Sequence, residues 1–194
     1  PTAEALTENE VVVLTDTWTP ETGAALHLFA KNGGLILAIP SAQTTSEAFA
    51  TLTGEPDWTL SEAVVDDYAM LADLDFEHPV LLPFARAQIR DFTKVRFWKH
   101  RTLTMTPSDS SRIVATFDGK SPALIEHRVG NGAIFAFLAG WRPAESQLAL
   151  SSKFVPLLFS IFDHAGYSIR SAPTLYVGET SYKKPGFYEE EDHG

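Results

Sequence analysis

The chain has 194 residues, and its 15 Lys and Arg against 25 Asp and Glu give a formal net charge of −10. That balance argues against a nucleic-acid backbone or an anionic membrane surface as partner, and the complete lack of cysteine excludes disulfides, thiolate metal sites and a cysteine nucleophile together. No apolar run reaches the roughly 18 residues of a membrane span, while 44% hydrophobic residues, 13 of them Phe, supply the core of one domain with an elaboration.

In chain order, residues 1–9 lead into a first strand at Val11–Leu14, a wholly apolar run of the kind buried on both faces. A chain that opens at Pro1 and enters its first strand so soon is expected to be a piece of a larger protein that lacks the first β-α unit of its sheet. Thr19 is placed to cap the next helix, Pro20 suits its first position and Glu21 complements the positive end of the helix dipole. Ala25, Leu28 and Phe29 give that helix its expected apolar face. Gly33 suits a left-handed C-terminal cap, and Leu35–Ile39 reads as the next buried strand. Two parallel strands joined in this way need a right-handed crossover.

Thr44–Leu52 is helical by pattern, capped by Thr45 or Ser46 with Ala48, Phe49 and Leu52 inward, and Gly54-Glu55-Pro56 ends it. Residues 55–92 lack a clean period but are too apolar for a linker, so a packed excursion is expected. His78-Pro79 and Leu82-Pro83 make its end extended or turn-like. From there the pattern turns to strands. Lys94–Met105 is the first, then Arg112–Phe117, a turn at Asp118-Gly119, Ala123–Val129, a turn at Gly130-Asn131-Gly132, and Ala133–Ala139. These read as an antiparallel meander whose last strand is apolar enough to re-enter the central sheet. Ser151 or Ser152 then caps the clearest helix, with Phe154, Leu157, Leu158, Ile161, Phe162 and Ala165 in one stripe, Pro156 in its first turn and Gly166 closing it. Short strands are expected at Ser168–Arg170 and Thr174–Val177. Residues 171–194, with the run Glu189-Glu190-Glu191-Asp192, read as an acidic tail or a linker to a further domain.

The order VVVLTDTW, GGLILAIPS, HPVLLPF, SPALIEHRVGNGAIFAFLAGW and FVPLLFSIF resembles the class I glutamine amidotransferase-like superfamily over roughly residues 8–166. It is closest in style to its non-amidotransferase branches, the ThuA-like proteins and the related domain of BatA-type membrane-anchored bacterial proteins. The resemblance implies an α/β fold, flavodoxin-like, with a mostly parallel sheet flanked by helices and an antiparallel β elaboration. It also implies a soluble domain of a membrane-anchored parent, on the extracytoplasmic side. Amidotransferases of this superfamily place a cysteine on a G-x-C-x-G turn and complete it with a downstream His-x-Glu. The matching turn here is Ala38-Ile39-Pro40-Ser41-Ala42, so Pro40 falls at the nucleophile position, and no histidine among His27, His78, His100, His127, His164 and His193 has Glu two residues later. Amidotransferase chemistry is excluded on these grounds.

Ser41 lacks the G-x-S-x-G elbow of a serine hydrolase and reads as a turn residue. Because ligands of open α/β sheets bind beyond the carboxyl ends of strands, Asp16, Trp18, Ser41, Trp141 and Arg142 are the candidate ligand residues. Trp would stack on a sugar and Arg142 would bind a carboxylate; the competing reading is that the two Trp residues cover the sheet end. Arg96, Lys99, His100 and Arg101, interleaved with Phe97 and Trp98, read as a solvated strand face rather than a nucleic-acid patch. Glu126-His127-Arg128 puts Glu and Arg on one strand face and His on the other, which reads as no metal site, and His78 reads as a turn residue. No cofactor is expected. The functional expectation is a non-catalytic binding or assembly module acting on a protein partner or on other domains of its parent. The alternative is a ThuA-like carbohydrate- or carboxylate-binding protein or enzyme using the carboxyl-end crevice.

Overall fold

The computed structural model describes residues 10–86, 89–106 and 108–167. The strands expected at Ser168–Arg170 and Thr174–Val177, and the acidic tail, lie outside the described residues. The first unit is β1 (Val11–Leu14), α1 (Pro20–Lys31) and β2 (Leu35–Ala38). Thr19 caps α1 as its composition implies, its hydroxyl accepting from the Thr22 N–H at 3.3 Å, and Pro20 opens the helix. Gly33 follows with φ +112, a backbone region that side chains with a Cβ rarely enter.

The buried face of α1 differs from the expected one. Gly23, Leu26 and Ala30 are buried, while Leu28 is 59% exposed. The reason is the second helix, α2 (Ser46–Thr53), capped by Thr45 and closed by Gly54 at φ +77. A Cβ on Gly23 would come within 2.9 Å of the Ala48 carbonyl, so α1 turns its smallest residue toward α2 and the helices approach closely. Phe29 is used differently, with its ring lying against Gly34.

The excursion after α2 is packed, as its apolar content requires, burying Trp58, Val80, Leu81, Phe84 and Phe92. It also holds two strands that its irregular pattern concealed, β3 (Thr59–Glu62) and β4 (Leu71–Leu74), and a 3-10 turn at Leu82–Phe84. The expected strand Lys94–Met105 is corrected to β5 (Arg101–Thr104). β5 pairs antiparallel with β3 in a separate two-stranded ribbon and is no part of the meander. Phe97 makes only isolated bridges, to Ala69 and Ser146.

The meander itself is β6 (Ser111–Phe117), β7 (Pro122–Val129) and β8 (Gly132–Phe137), and β8 does re-enter the sheet, parallel to β2. The six-stranded order is β1-β2-β8-β7-β6-β4. β1, β2 and β8 are mutually parallel, β7 opposes β8, β6 opposes β7 and β4 opposes β6. Four strands therefore run one way and two the other, in a mixed α/β sheet whose β1-β2-β8 half is parallel and whose β8-β7-β6-β4 half is antiparallel.

The last helix, α3 (Phe154–His164), begins after Lys153, which offers no side-chain cap. Ser151 accepts instead from the Lys153 N–H. Only Leu157 and Ile161 of its apolar stripe are buried. α1 and α2 lie on one face of the sheet. Trp58, stacked on Phe49 of α2, meets His127 of β7 at 5.0 Å between ring centroids. α3 lies on the other, where its His164 meets Glu126 of β7 and Phe135 of β8. Adjacent strand residues point to opposite faces, so Glu126 and His127 mark the two layers.

Candidate functional site

At the carboxyl ends of the parallel strands the five expected ligand residues divide. Ser41 sits in a hydroxyl cluster. Its Oγ lies 2.7 Å from Thr17 Oγ1 and accepts from the Gln43 N–H at 3.3 Å, and its own N–H donates to Thr44 Oγ1 at 3.0 Å. Asp16 is exposed, and its carboxylate accepts from the Thr17 N–H at 2.8 Å. Asp16 and Ser41 are thus tied to one another through Thr17.

Trp18 does not join them. It is 4% exposed, donates its indole N–H to the Ala48 carbonyl at 3.1 Å and packs against Phe49, so no ring face remains for a sugar. Trp141 belongs to the opposite layer, edge-on to Phe137 and Phe154. Phe137 shares the Glu126 face by alternation from Phe135, whereas the Trp18, Phe49 and Trp58 group shares the His127 face. The two Trp residues are separated by the sheet, which corrects the expectation of one crevice holding both. Arg142 is exposed, and its carbonyl accepts from the Glu145 and Ser146 N–H groups. A buried cation stands nearby instead. Arg101 is 1% exposed, its Nη2 donates to Glu145 Oε2 at 3.1 Å, and its Nε lies 3.0 Å from Glu62.

A denser cluster lies under α3, across the middle of β7. Glu126 is 6% exposed. Its Oε2 lies 2.8 Å from His78 Nε2, and its Oε1 lies 2.9 Å from His164 Nε2 and 3.3 Å from Arg128 Nε. Burial alone would raise the Glu126 carboxyl, but the hydrogen bonds from His78 and His164, and their electrostatic attraction for the carboxylate, outweigh it and hold the group down at about 2. Beside the cluster opens a cleft of about 170 Å³, lined by Glu126, Arg128, His164 and Tyr167 with the glycine turns before β2 and β8. It lies toward the amino ends of the parallel strands, where the Tyr167 hydroxyl donates to the Gly33 carbonyl at 2.8 Å.

Two imidazoles and a carboxylate are a donor set that zinc accepts, and their ligand atoms lie within 4.8 Å of one another. The tautomer of His78 decides how they are wired. Its Nδ1 accepts from the Val80 N–H at 3.2 Å, so its proton sits on Nε2, the very atom that would have to bind a metal. His78 is therefore built as a donor to Glu126. The group ties the 75–82 segment and the end of α3 to the sheet.

Residue alternation along β7 places Glu126 and Arg128 together and His127 opposite, as the sequence implies. His127 donates from Nε2 to the Thr53 carbonyl, 2.9 Å away. The sequence reading missed the partners. His78 and His164 stand 48 and 38 residues from Glu126, and no local spacing joins them. The available signal was a charged residue in the centre of an apolar strand, which demands buried partners.

No protein-family model matches the chain, and no curated protein matches it in sequence. Solved structures do. A cytoplasmic protein of Salmonella typhimurium aligns with TM-score 0.60 at 17% identity, over 84% of this chain and 74% of that one. A second, from Salmonella typhimurium LT2, gives 0.63 at 14% identity over 84% and 75%. The mmIFT52 N-terminal domain gives 0.58 at 14% identity over 84% and 80%. At such identities the likeness is one of fold. Among the described residues no helix is long and apolar enough to cross a membrane.

Proposed function

We propose that the chain is a non-catalytic binding or assembly module, flavodoxin-like and of the class I glutamine amidotransferase-like type, and the domain of a larger membrane-anchored bacterial protein on the extracytoplasmic side. The observation that carries the reading is the wiring of Ser41. Its hydroxyl is engaged by Thr17, Thr44 and the Gln43 N–H, and the described histidines are held elsewhere: His27 at the Leu52 carbonyl, His78 and His164 at Glu126, His100 against Phe117, and His127 at the Thr53 carbonyl. A serine nucleophile needs a base within hydrogen-bond reach, and Ser41 has none among the described residues. A fluorophosphonate probe is expected to leave the chain unlabelled while cross-linking of the parent protein joins this domain to a protein partner or to a neighbouring domain. Labelling at Ser41 overturns the reading.

A second reading keeps a small carbohydrate or carboxylate ligand at the carboxyl ends. The exposure of Asp16, Thr17 and Arg142 favours it. Such a site would work without Trp18, whose ring is spent on the core.

A further inference from the structure

β1 is an edge strand. The carbonyls of Glu10 and Leu14 accept from Leu35 and Ile39 of the β2 segment, so by alternation those of Val11 and Val13, with their N–H groups, point away from the sheet. Edges in folded proteins are usually blunted by a charge, a proline or a bulge. Val11-Val12-Val13-Leu14 carries none of these, and its outward groups have no strand partner among the described residues.

The face beside this edge is also open. Val13 pairs in register with Leu37, and Leu37 with Phe135, so Val13 shares the α3 face, and it is 48% exposed. One flank of α3 is held to the 78–92 segment by His164 to His78 contact and by the Lys153 bond to the Ile89 carbonyl. By helical spacing Leu158 and Phe162, both partly buried against the core, lie on the opposite flank. Around the helix from them stand Val155 and Phe159, exposed by 56% and 49%. A helix apolar on both flanks is made to be covered on both. Three exposed acidic residues stand at the β1 side of this face, Glu10 at the foot of β1, Asp16 beyond its top and Asp163 on α3, while the exposed Arg128 of the same sheet face lies three strands away on β7.

We infer that β1 and the outer flank of α3 form a docking surface for an extended peptide segment of a partner protein. The segment adds to β1 as a further strand, carries apolar side chains at alternate positions and has Lys or Arg at its ends. Backbone hydrogen bonds to Val11 and Val13 supply the attachment. Alternate apolar side chains of the added strand fall on the α3 face and reach Phe159 and Val155. The basic ends answer Glu10 and Asp16, and the same acidic border disfavours a second copy of this chain, which would set like charges together. The inference rests on the binding-module reading and names the surface that module uses.

The test uses a capped peptide of alternating valine and threonine with lysine at each end, titrated into the chain and followed by amide NMR and hydrogen exchange. The expected result is slowed exchange at the Val11 and Val13 amides, lost with a backbone N-methylated peptide and lost in Val13→Pro, a change an edge strand accepts because that N–H faces outward. Exchanging the peptide lysines for glutamates is expected to weaken binding roughly tenfold. No binding, shifts confined to another surface, equal binding of the acidic peptide, or dimerisation of the chain through β1 would each overturn the inference. Cross-links from a partner to another surface overturn it and leave the module reading standing, whereas probe labelling at Ser41 removes the module reading itself.

Discussion

The carboxyl ends of the parallel strands and the cluster beneath α3 treat polar groups in opposite ways. At the carboxyl ends, Asp16, Ser41 and Arg142 make local contacts near water, mostly with residues within a few positions, and the two Trp residues withdraw into different layers. Under α3, a single carboxylate in the centre of a strand gathers two histidines and an arginine from three parts of the chain. The first region gains its polar contacts cheaply and loses little if one is removed. The second has taken a charge out of water and depends on every partner.

Substitution of Glu126 gives the largest expected contrast. Glu126→Ala leaves two inward-facing imidazole donors without an acceptor and is expected to cost about 3–5 kcal/mol in urea unfolding, against about 0.5 kcal/mol or less for Asp16→Ala at the surface. The acid limb sharpens the same point. The folded-state value of Glu126, about 2, lies below its ordinary 4.5, so its contribution is fully present above about pH 4.5 and is lost as pH falls toward 2. That loss amounts to about 3 kcal/mol and should be missing from the pH titration of Glu126→Gln. Equal stability of Glu126→Ala and Asp16→Ala would dissolve the comparison.

Arg101 is the residue that could break it from the other side, since it is a buried charge close to the carboxyl ends. Glu62 is 40% exposed at its side chain, so water screens part of that pairing. Arg101→Ala is expected to cost about 2–3 kcal/mol, less than Glu126→Ala. A larger loss would place the principal buried charge at the carboxyl ends.

The legible part of this fold was the part written in short-range chemistry. Thr19, Pro20, Gly33, Thr45 and Gly54 act within a few residues of themselves, and the caps and turns fall where their side chains dictate. The run Ala133–Ala139 is apolar enough to betray a strand buried on both faces. What could not be read depends on distant partners. β3 and β5 are paired across about 40 residues of chain, and neither TLSE nor RTLT shows alternation that would announce it. The face of α1 was set by Gly23 meeting the Ala48 carbonyl, which no hydrophobic count weighs. For the same reason the Glu126 cluster was half legible: alternation gave the face, and the tertiary fold brought His78 and His164.

A pH window nearer neutrality separates a third kind of buried group from both regions. Burial pushes His127 and His100 below their ordinary 6.5 despite hydrogen bonds to the Thr53 and Arg101 carbonyls and nearby carboxylates that favour the charged form. Each is therefore neutral in the fold while the unfolded chain takes up a proton, so stability falls as pH drops below about 6.5. Chemical denaturation from pH 8 to 5 should show this first loss, well before that of Glu126, and His127→Gln should reduce it. A profile flat down to pH 4.5 would contradict the burial of both imidazoles in the neutral form.

The smallest expected effects return to the carboxyl ends. Trp18→Phe keeps the ring contact with Phe49 but leaves the Ala48 carbonyl without its indole donor, a loss of about 1 kcal/mol with no effect on any ligand. Ser41→Ala should do less. The Gln43 N–H is exposed and can turn to water, Thr44 keeps its bond from the residue 41 N–H, and Thr17 regains solvent. Stability is expected to change by about 0.5 kcal/mol or less in the same urea titration. A ligand held by this hydroxyl gives a different signature: binding of sugars or carboxylates, followed by calorimetry, that disappears in Ser41→Ala and in Arg142→Ala but survives Trp18→Phe. Because Trp18 is enclosed and Ser41 is not, that pattern points to a site on the exposed side of the Asp16–Ser41 turn, and its absence removes the small-ligand reading of the carboxyl ends.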